Sequence, residues 1–487
     1  MHFAAPFLGP ILVFAFAQDL KSPPAPQTKT AAVDSKQLVE DLRILRKALE
    51  EGHSGIYRYT PKAELDGLFD ETEKALNRPM TSIELYRVLA PVVAAVKCGH
   101  TWVVLPDDLA TGPKSPRPIL PLQVRVLGGK VWVFRDFSNE QGKLAGKEIR
   151  SINGAPAAGI VETMVKATPG DGDVQTSRLH RIRDWRFCVN LVDLLGQSAP
   201  YALTSWDPVE KRESSQRVDG VEMAKLLAAS RDRFPQDQRP ETAASFRFLD
   251  GDRIAVMKIN GFGGFADKEH KKNLKVFFKE SFAAIEAHGT KALVIDLRDN
   301  GGGADELGKL LLSYLVDKPF KYYDDLVINS REFSFRKYAR APHLPASSLE
   351  RKPDGKYQYV KHPNWGIQQP STPTFQGKVF ILINGGSFST TSEFLSHVHY
   401  RKRATFIGEE SAGGYYGNTS GPSAVVTLPN TKLKLLLPLM TYYMSVSGNP
   451  AASHGVVPDY PVTYSIQELL EGKDKDLALA IELAAMN

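Results

Sequence analysis

The chain has 487 residues, 42% of them hydrophobic and 24% charged, with a formal net charge of +6. That length suits two or three domains with buried cores, and the composition is that of an ordinary globular protein rather than a disordered one. The basic residues are scattered, so the charge gives no nucleic-acid footprint. The two cysteines, Cys98 and Cys188, are too few for a disulfide framework.

The first residues read as an export signal. Phe7 to Phe14 form a short apolar run, and Ala15-Phe16-Ala17 fits a small-residue cleavage site before Gln18. The run is too short to span a bilayer. An exported, periplasmic or secreted chain is therefore expected, with a signal over 1–17 and a Pro- and Lys-bearing lead-in over 18–33. No later stretch is apolar enough for a transmembrane helix.

From Asp34 the pattern turns helical. Leu38, Leu42, Leu45 and Leu49 recur at helical spacing, and similar segments run from Ala63 to Leu76 and from Ser82 to Val96. These predict an N-terminal helical module over 34–105, closing in KCGHTWVVL with a strand from Thr101. ILPLQVRVL and KVWVFRDF read as paired strands around Gly128-Gly129. GKEIRSINGAPAAGI follows as a strand, an Asn-Gly turn and a helix start. Arg178 to Leu195 reads as helical and Tyr201 to Ser205 as a short strand. Together these suggest a small β-rich domain and a following segment over 115–240.

The last half, 243–470 before a C-terminal helix over 471–487, alternates strand and helix. RIAVMKI is a strand, Asp267 to His288 an amphipathic helix, ALVID a strand, Ala304 to Val316 a helix and VFILI a strand. That alternation predicts βαβ units, hence an α/β fold here and α+β overall. Residues 317–376 form a long polar, aromatic and proline-bearing insertion, read as a lid, a substrate wall or a packed extension.

Two glycine-rich turns carry the chemistry. ALVIDLRDNGGG (292–303) and VFILINGGSFSTTSEF (379–394) each run from an apolar strand into a turn and then a helix. Strand ends of this kind hold the sites of α/β folds. Ser389 stands at a helix start, and Gly301 to Gly303 offer unhindered amides. A serine beside exposed amides is the equipment of acyl transfer: a nucleophile, and donors for the oxyanion it creates. The plain alternative is that Ser389 is a helix N-cap.

DLRDNGGG, GGSFSTTSEF, GEESAGG (408–414) and HGVVPD (454–459), in that order, resemble one family of serine peptidases. It comprises the C-terminal-processing proteases, the tricorn protease core and the interphotoreceptor retinoid-binding protein repeats. GKEIRSING resembles the PDZ-like domain such proteins carry upstream. The resemblance implies a ClpP/crotonase-like α/β catalytic domain, with Ser389 as nucleophile. Thr390 would give one oxyanion-hole amide, and Gly302 or Gly301 the other. The lysine used by one branch has no counterpart, because Gly414 stands at its position. The tricorn-like branch takes a histidine from a segment resembling D-G-H-T, which His100 matches in Cys98-Gly99-His100-Thr101. Its late glutamate has no counterpart in AASH before GVVPD, leaving Glu409, Glu410 and Asn418 as candidates for the third member.

Other motifs lead nowhere. GADELGKL has Leu310 where a phosphate loop needs Ser or Thr. Asp296 and Asp299 lack partner ligands, and His397 and His399 are spaced to face apart. His53, near a helix end, reads as structural. No metal or organic cofactor is implied. The expected partner is a peptide or unfolded protein, with its end captured by the PDZ-like module, and no nucleic acid. A catalytically inactive relative that binds a hydrophobic ligand or a peptide is the alternative.

Overall fold

Helices α1 (Ser35–Gly52), α2 (Lys62–Ala75) and α3 (Ser82–Ala94) open the computed structural model, which describes residues 31–486 apart from 140–141, 239–241, 268–271 and 450. The expected export signal and most of the lead-in lie outside the described residues. Leu38, Leu42, Leu45 and Leu49 are buried as one stripe. Asp34 caps α1 by accepting from the Gln37 amide, and Thr81 with Glu84 forms a reciprocal capping box on α3. After α3 the chain turns at Lys97 (φ 56°) and Gly99, passes His100 and enters strand β1 (Trp102–Val104).

The β-rich part contains β2 (Leu122–Leu127), β3 (Lys130–Asp136), β4 (Glu148–Ile152), β5 (Tyr201–Asp207) and β6 (Arg212–Val218), hydrogen-bonded in that order. Gly128 and Gly129, at φ 57° and 75°, make the two-residue hairpin turn between Leu127 and Lys130. Both glycines sit in the left-handed region that such turns require. Helix α4 (Ala157–Lys166) follows the Asn153-Gly154 turn. The helix expected over 178–195 is two helices, α5 (Gln175–Arg181) and α6 (Trp185–Asp193). Asp184 breaks them with a positive φ of 57°, a conformation no helix continues through. Helix α7 (Met223–Arg233) ends this part.

The last half holds β7 (Ala244–Leu249), β8 (Ile254–Ile259), α8 (Leu274–Ala287), β9 (Ala292–Asp296), α9 (Asp305–Ser313), β10 (Tyr323–Ile328), β11 (Lys378–Ile383), α10 (Thr390–Tyr400), β12 (Thr405–Gly408), β13 (Thr419–Thr427), β14 (Lys434–Met444) and β15 (Tyr460–Pro461). The short helix α11 (Ile466–Leu470) and α12 (Lys475–Ala485) close the chain. One sheet runs β7-β8-β9-β11-β12-β15, parallel except for β7. Its central strands are apolar along their length because both faces are covered. Phe278, Phe282, Leu311 and Phe394 pack on one side, and Leu477, Ala480 and Ile481 on the other.

A second sheet was not legible in the sequence. β13, β14 and β10 form its centre, and β1 pairs antiparallel with β14 through Trp102 and Leu436. β10 comes from the 317–376 segment, and Tyr322, Tyr323 and Phe335 of that segment are buried. At these residues the segment is a packed extension. The helix expected from Asp267 begins at Leu274 instead, where the Asn273 side chain accepts from the Val276 amide. The helix expected over 304–316 is confined to α9.

The N-terminal helices pack into the last half. Buried Asp41 on α1 accepts from the Thr431 amide at 2.8 Å and from the Asn430 amide at 3.1 Å, which holds the β13–β14 turn. This docking, with the β1–β14 pairing, fixes where the Gly99–His100 loop lies. No helix among the described residues is long and apolar enough to cross a membrane.

Candidate active site

Strands β9 and β11 are parallel neighbours in register, Ala292 beside Lys378 and Asp296 beside Leu382. Their following turns therefore leave the same end of the sheet side by side. The turns are locked to each other. Phe388 donates its amide to Asn300 O at 3.0 Å, and Asp299 donates to Asn384 Oδ1 at 3.0 Å. The Thr391 and Thr390 hydroxyls reach Asn300 O and Gly303 O at 3.0 and 2.8 Å.

Ser389 stands at the head of α10 with φ 57° and ψ −127°, outside the regions L side chains favour. Its hydroxyl makes no capping hydrogen bond to the helix. Instead Ser389 Oγ lies 3.1 Å from His100 Nε2. A residue held in strain at a helix start, with its side chain turned away from capping, is arranged for something other than capping.

Thr390 begins α10, so its amide has no intrahelical acceptor, and its nitrogen lies beside Ser389 and Gly302. Gly302 is packed against it. A Cβ at 302 would lie 2.7 Å from Ser389 Cβ and 3.0 Å from the Thr390 nitrogen, and φ at 302 is 99°. Only glycine fits there. The Gly302 amide itself donates to Asn300 Oδ1 at 2.9 Å, so in this state it is engaged within its own turn. Gly301 lies beside it in the same turn, with open space at its Cβ position.

His100 is held from three sides. Its ring stacks on Phe388 with centroids 4.5 Å apart. The Arg181 guanidinium lies 4.5 Å from the same Phe388 ring and donates to Gly99 O at 2.9 Å. Asp171 Oδ1 accepts from the Gly99 amide at 2.6 Å. Burial lowers the His100 pKa to about 4, opposed by the charge of Asp171 and assisted by that of Arg181. The imidazole is neutral at neutral pH, the form a general base needs. Its Nδ1 is buried with no hydrogen-bond partner among the described residues.

The three candidates for the third member are engaged elsewhere. Glu410 Oε1 accepts from His454 Nδ1 at 2.9 Å and from the Gly455 amide at 3.0 Å. The Glu409 carboxylate accepts from the Gly385 backbone amide. Asn418 Nδ2 donates to Glu393 Oε1 at 2.8 Å. None of these bonds reaches His100.

A second cluster lies behind α10. The Tyr323 hydroxyl sits between Glu393 (2.8 Å) and Asp305 (2.9 Å), and His362 Nε2 lies 3.1 Å from Asp305. One hydroxyl proton cannot serve two carboxylates, so one carboxyl of the pair holds a proton. Burial pushes Glu393 up to about 7, with the Asp305 charge adding to it, whereas His362 holds Asp305 below the usual range. Both directions favour Glu393 as the carboxyl that holds the proton.

Cys98 and Cys188 are separate buried thiols, donating to Thr419 O at 3.4 Å and to Leu122 O at 3.1 Å. Ligand atoms of Cys98, His100 and Asp171 all lie within 4.8 Å of one another. That limit is wider than the roughly 3.4 Å separation that tetrahedral zinc imposes on its donors. Burial also drives the Cys98 thiol up to about 12, so it keeps its proton. His397 bonds Tyr322 O and His399 bonds the Tyr415 hydroxyl, on different sides of α10. His53 ends α1 through its own amide.

Residues 253–462 match the family described as Peptidase family S41. Over 338 residues the chain is 23% identical to the tail-specific protease of Haemophilus influenzae, covering 68% of this chain and 40% of that relative's length. Its fold is similar to that of mature CPAF (TM-score 0.62, 15% identity, 92% of this chain and 96% of that one). Mature CPAF complexed with lactacystin matches equally, with TM-score 0.62 and 15% identity over 92% of this chain and 98% of that one.

Proposed function

With a peptidase family S41 domain over residues 253–462 as the premise, we propose that the protein is a serine-type endopeptidase acting through Ser389 and His100. The observation that carries this is the 3.1 Å contact of a strained, non-capping Ser389 hydroxyl with a partly buried imidazole. Ser389 Oγ attacks the scissile carbonyl carbon as His100 Nε2 takes its proton. The tetrahedral oxyanion forms against the Thr390 amide and the glycine turn, where one donor is worth roughly 3–4 kcal/mol in comparable sites. Collapse expels the amine with the proton from His100. Water then attacks the acyl-enzyme, with His100 again as base.

The substrate class is an unfolded segment or a chain terminus. The name of the tail-specific protease supports the terminus. So does the sheet β2–β6, which resembles a PDZ-like module able to receive an extended peptide as an added strand. The apolar run and Ala-Phe-Ala near the start support an exported, periplasmic or secreted enzyme.

The test is digestion of reduced, unfolded casein by the chain from Gln18, beside Ser389→Ala and His100→Ala, with products identified by mass spectrometry. Cleavage by wild type alone is the expected result. Cleavage retained by Ser389→Ala overturns the reading. No cleavage by any form between pH 5 and 9 turns it toward a binding protein.

A further inference from the structure

The site as drawn has a nucleophile, a base and oxyanion donors, yet the base lacks an anchor. For Nε2 to take the Ser389 proton, a neutral His100 carries its own proton on Nδ1, and that atom is buried without a partner among the described residues. When the ring takes the serine proton it becomes a cation beside the Arg181 guanidinium. A buried N–H and a forming positive charge both call for a carboxylate on the Nδ1 side.

We propose that Asp171 is the positioning carboxylate of His100, supplied from the loop before α5 in place of any residue late in the chain. This rests on the reading of Ser389 and His100 as nucleophile and base. Asp171 is 1% exposed, and one of its oxygens lies within 4.8 Å of a His100 ring nitrogen. Its two oxygens span the site. Oδ1 receives the Gly99 amide, adjacent to His100, at 2.6 Å, and Oδ2 receives the Gly414 amide at 3.3 Å. Each oxygen keeps a lone pair for a further donor. Gly414 is the position where the lysine-using relatives would place their base, so Asp171 ties the two possible base positions together.

The other groups around the imidazole do not compete. The Cys98 thiol is protonated and donates to Thr419 O. Arg181 is a cation committed to Gly99 O. Burial keeps the nearby His53 ring neutral, with its pKa lowered to about 3. Around Asp171 itself, Tyr59 packs on Gly414 with its hydroxyl neutral, Arg178 donates to the Gly170 and Gly172 carbonyls, and Lys97 pairs with Asp173 at 2.7 Å. Contact between Asp171 and His100 is longer than a hydrogen bond in this state. Such bonds commonly tighten only when substrate is bound.

The test measures kcat and KM for dye-labelled unfolded casein between pH 3 and 9 on five chains: wild type, Asp171→Asn, Asp171→Glu, Asp173→Asn and His100→Ala. Asp171→Asn is expected to lower kcat about 100-fold or more with KM within roughly threefold, as loss of the orienting carboxylate does in other triads. Its acid limb moves to lower pH, because the charge that favours imidazolium is gone. Asp173→Asn removes the same charge from a neighbour that pairs with Lys97 and Ser453 rather than with the Gly99–His100 loop, and keeps the wild-type limb. Asp171→Glu keeps charge and acceptors, and retains the limb with an intermediate kcat. It carries the test by itself if the Asn variant does not fold. An unmoved limb in Asp171→Asn, or a Glu variant displaced as the Asn variant is, overturns the Asp171 assignment alone. Wild-type kcat that is unchanged in His100→Ala overturns the base itself, and Asp171 with it.

Discussion

The proposed nucleophile and the proposed base of this site are built by opposite means. Ser389 and its glycine partners come from two adjacent strand ends of one parallel sheet, and each turn is fixed by the other through bonds such as Phe388 N to Asn300 O. His100 has no such local frame. It sits between α3 and β1, and its place depends on Asp41 docking α1 to the β13–β14 turn, on β1 pairing with β14, and on Arg181 and Asp171 arriving from another part of the chain. The Ser389 position is thus specified by two short turns, whereas that of His100 requires most of the fold.

The sharpest way to break the nucleophile half is Gly302→Ala. The methyl would enter within 3.0 Å of Ser389 Cβ and the Thr390 nitrogen, at a φ of 99° that alanine rarely adopts. We expect kcat to fall by about 100-fold or more, the scale of losing an oxyanion donor, with secondary structure by circular dichroism unchanged. Wild-type kcat in this variant would mean that the glycine turn is not part of the reacting centre.

The base half is probed more gently by Arg181→Met, which keeps packing on Phe388 but removes the cation and the bond to Gly99 O. Arg181 lowers the His100 pKa, so its removal raises it. The acid limb of kcat/KM should move to higher pH, opposite to the Asp171→Asn shift, with an expected loss of about tenfold at pH 7, less than the roughly 100-fold of a catalytic group displaced by about 1 Å. A limb that moves down or stays would break the contrast drawn here.

The smallest effect is one of stability. Glu393, raised from 4.5 to about 7, binds its proton more tightly folded than unfolded. Folded protein therefore holds more protons between those values, and stability falls as pH rises from about 4.5 to 7. Glu393→Gln removes that dependence and can still bridge Asn418 and Tyr323. Its melting temperature relative to wild type should rise between pH 5 and pH 8, by the equivalent of about 1–2 kcal/mol. The full shift would carry roughly 3 kcal/mol if Asp305 did not offset it. A difference independent of pH would place the proton elsewhere in the cluster.

What could be read from the sequence follows the same division. The NGGG and GGSFS turns, the apolar strands before them and the leucine stripe of α1 are local patterns, and they lie where the periodicity places them. His100 was found only through its resemblance to a short family segment. Asp171 and Arg181 were not found, because a Gly-Asp-Gly-Asp stretch carries no helical or strand period and its role arises from contacts with residues 99 and 414. The second sheet was missed for a related reason. β13 and β14 bury both faces in part, so their alternation is blurred, and β10 lies inside a segment whose prolines and polar residues read as insertion.

The central claim is that Ser389 is a nucleophile activated by His100. Its most direct measurement is the mass of the intact chain after exposure to a fluorophosphonate, with the adduct mapped by peptide sequencing and its rate compared in His100→Ala. A single adduct on Ser389, formed at least about 100-fold more slowly without His100, is the predicted result. An adduct on another residue, or one on Ser389 that forms as fast in His100→Ala, would contradict it.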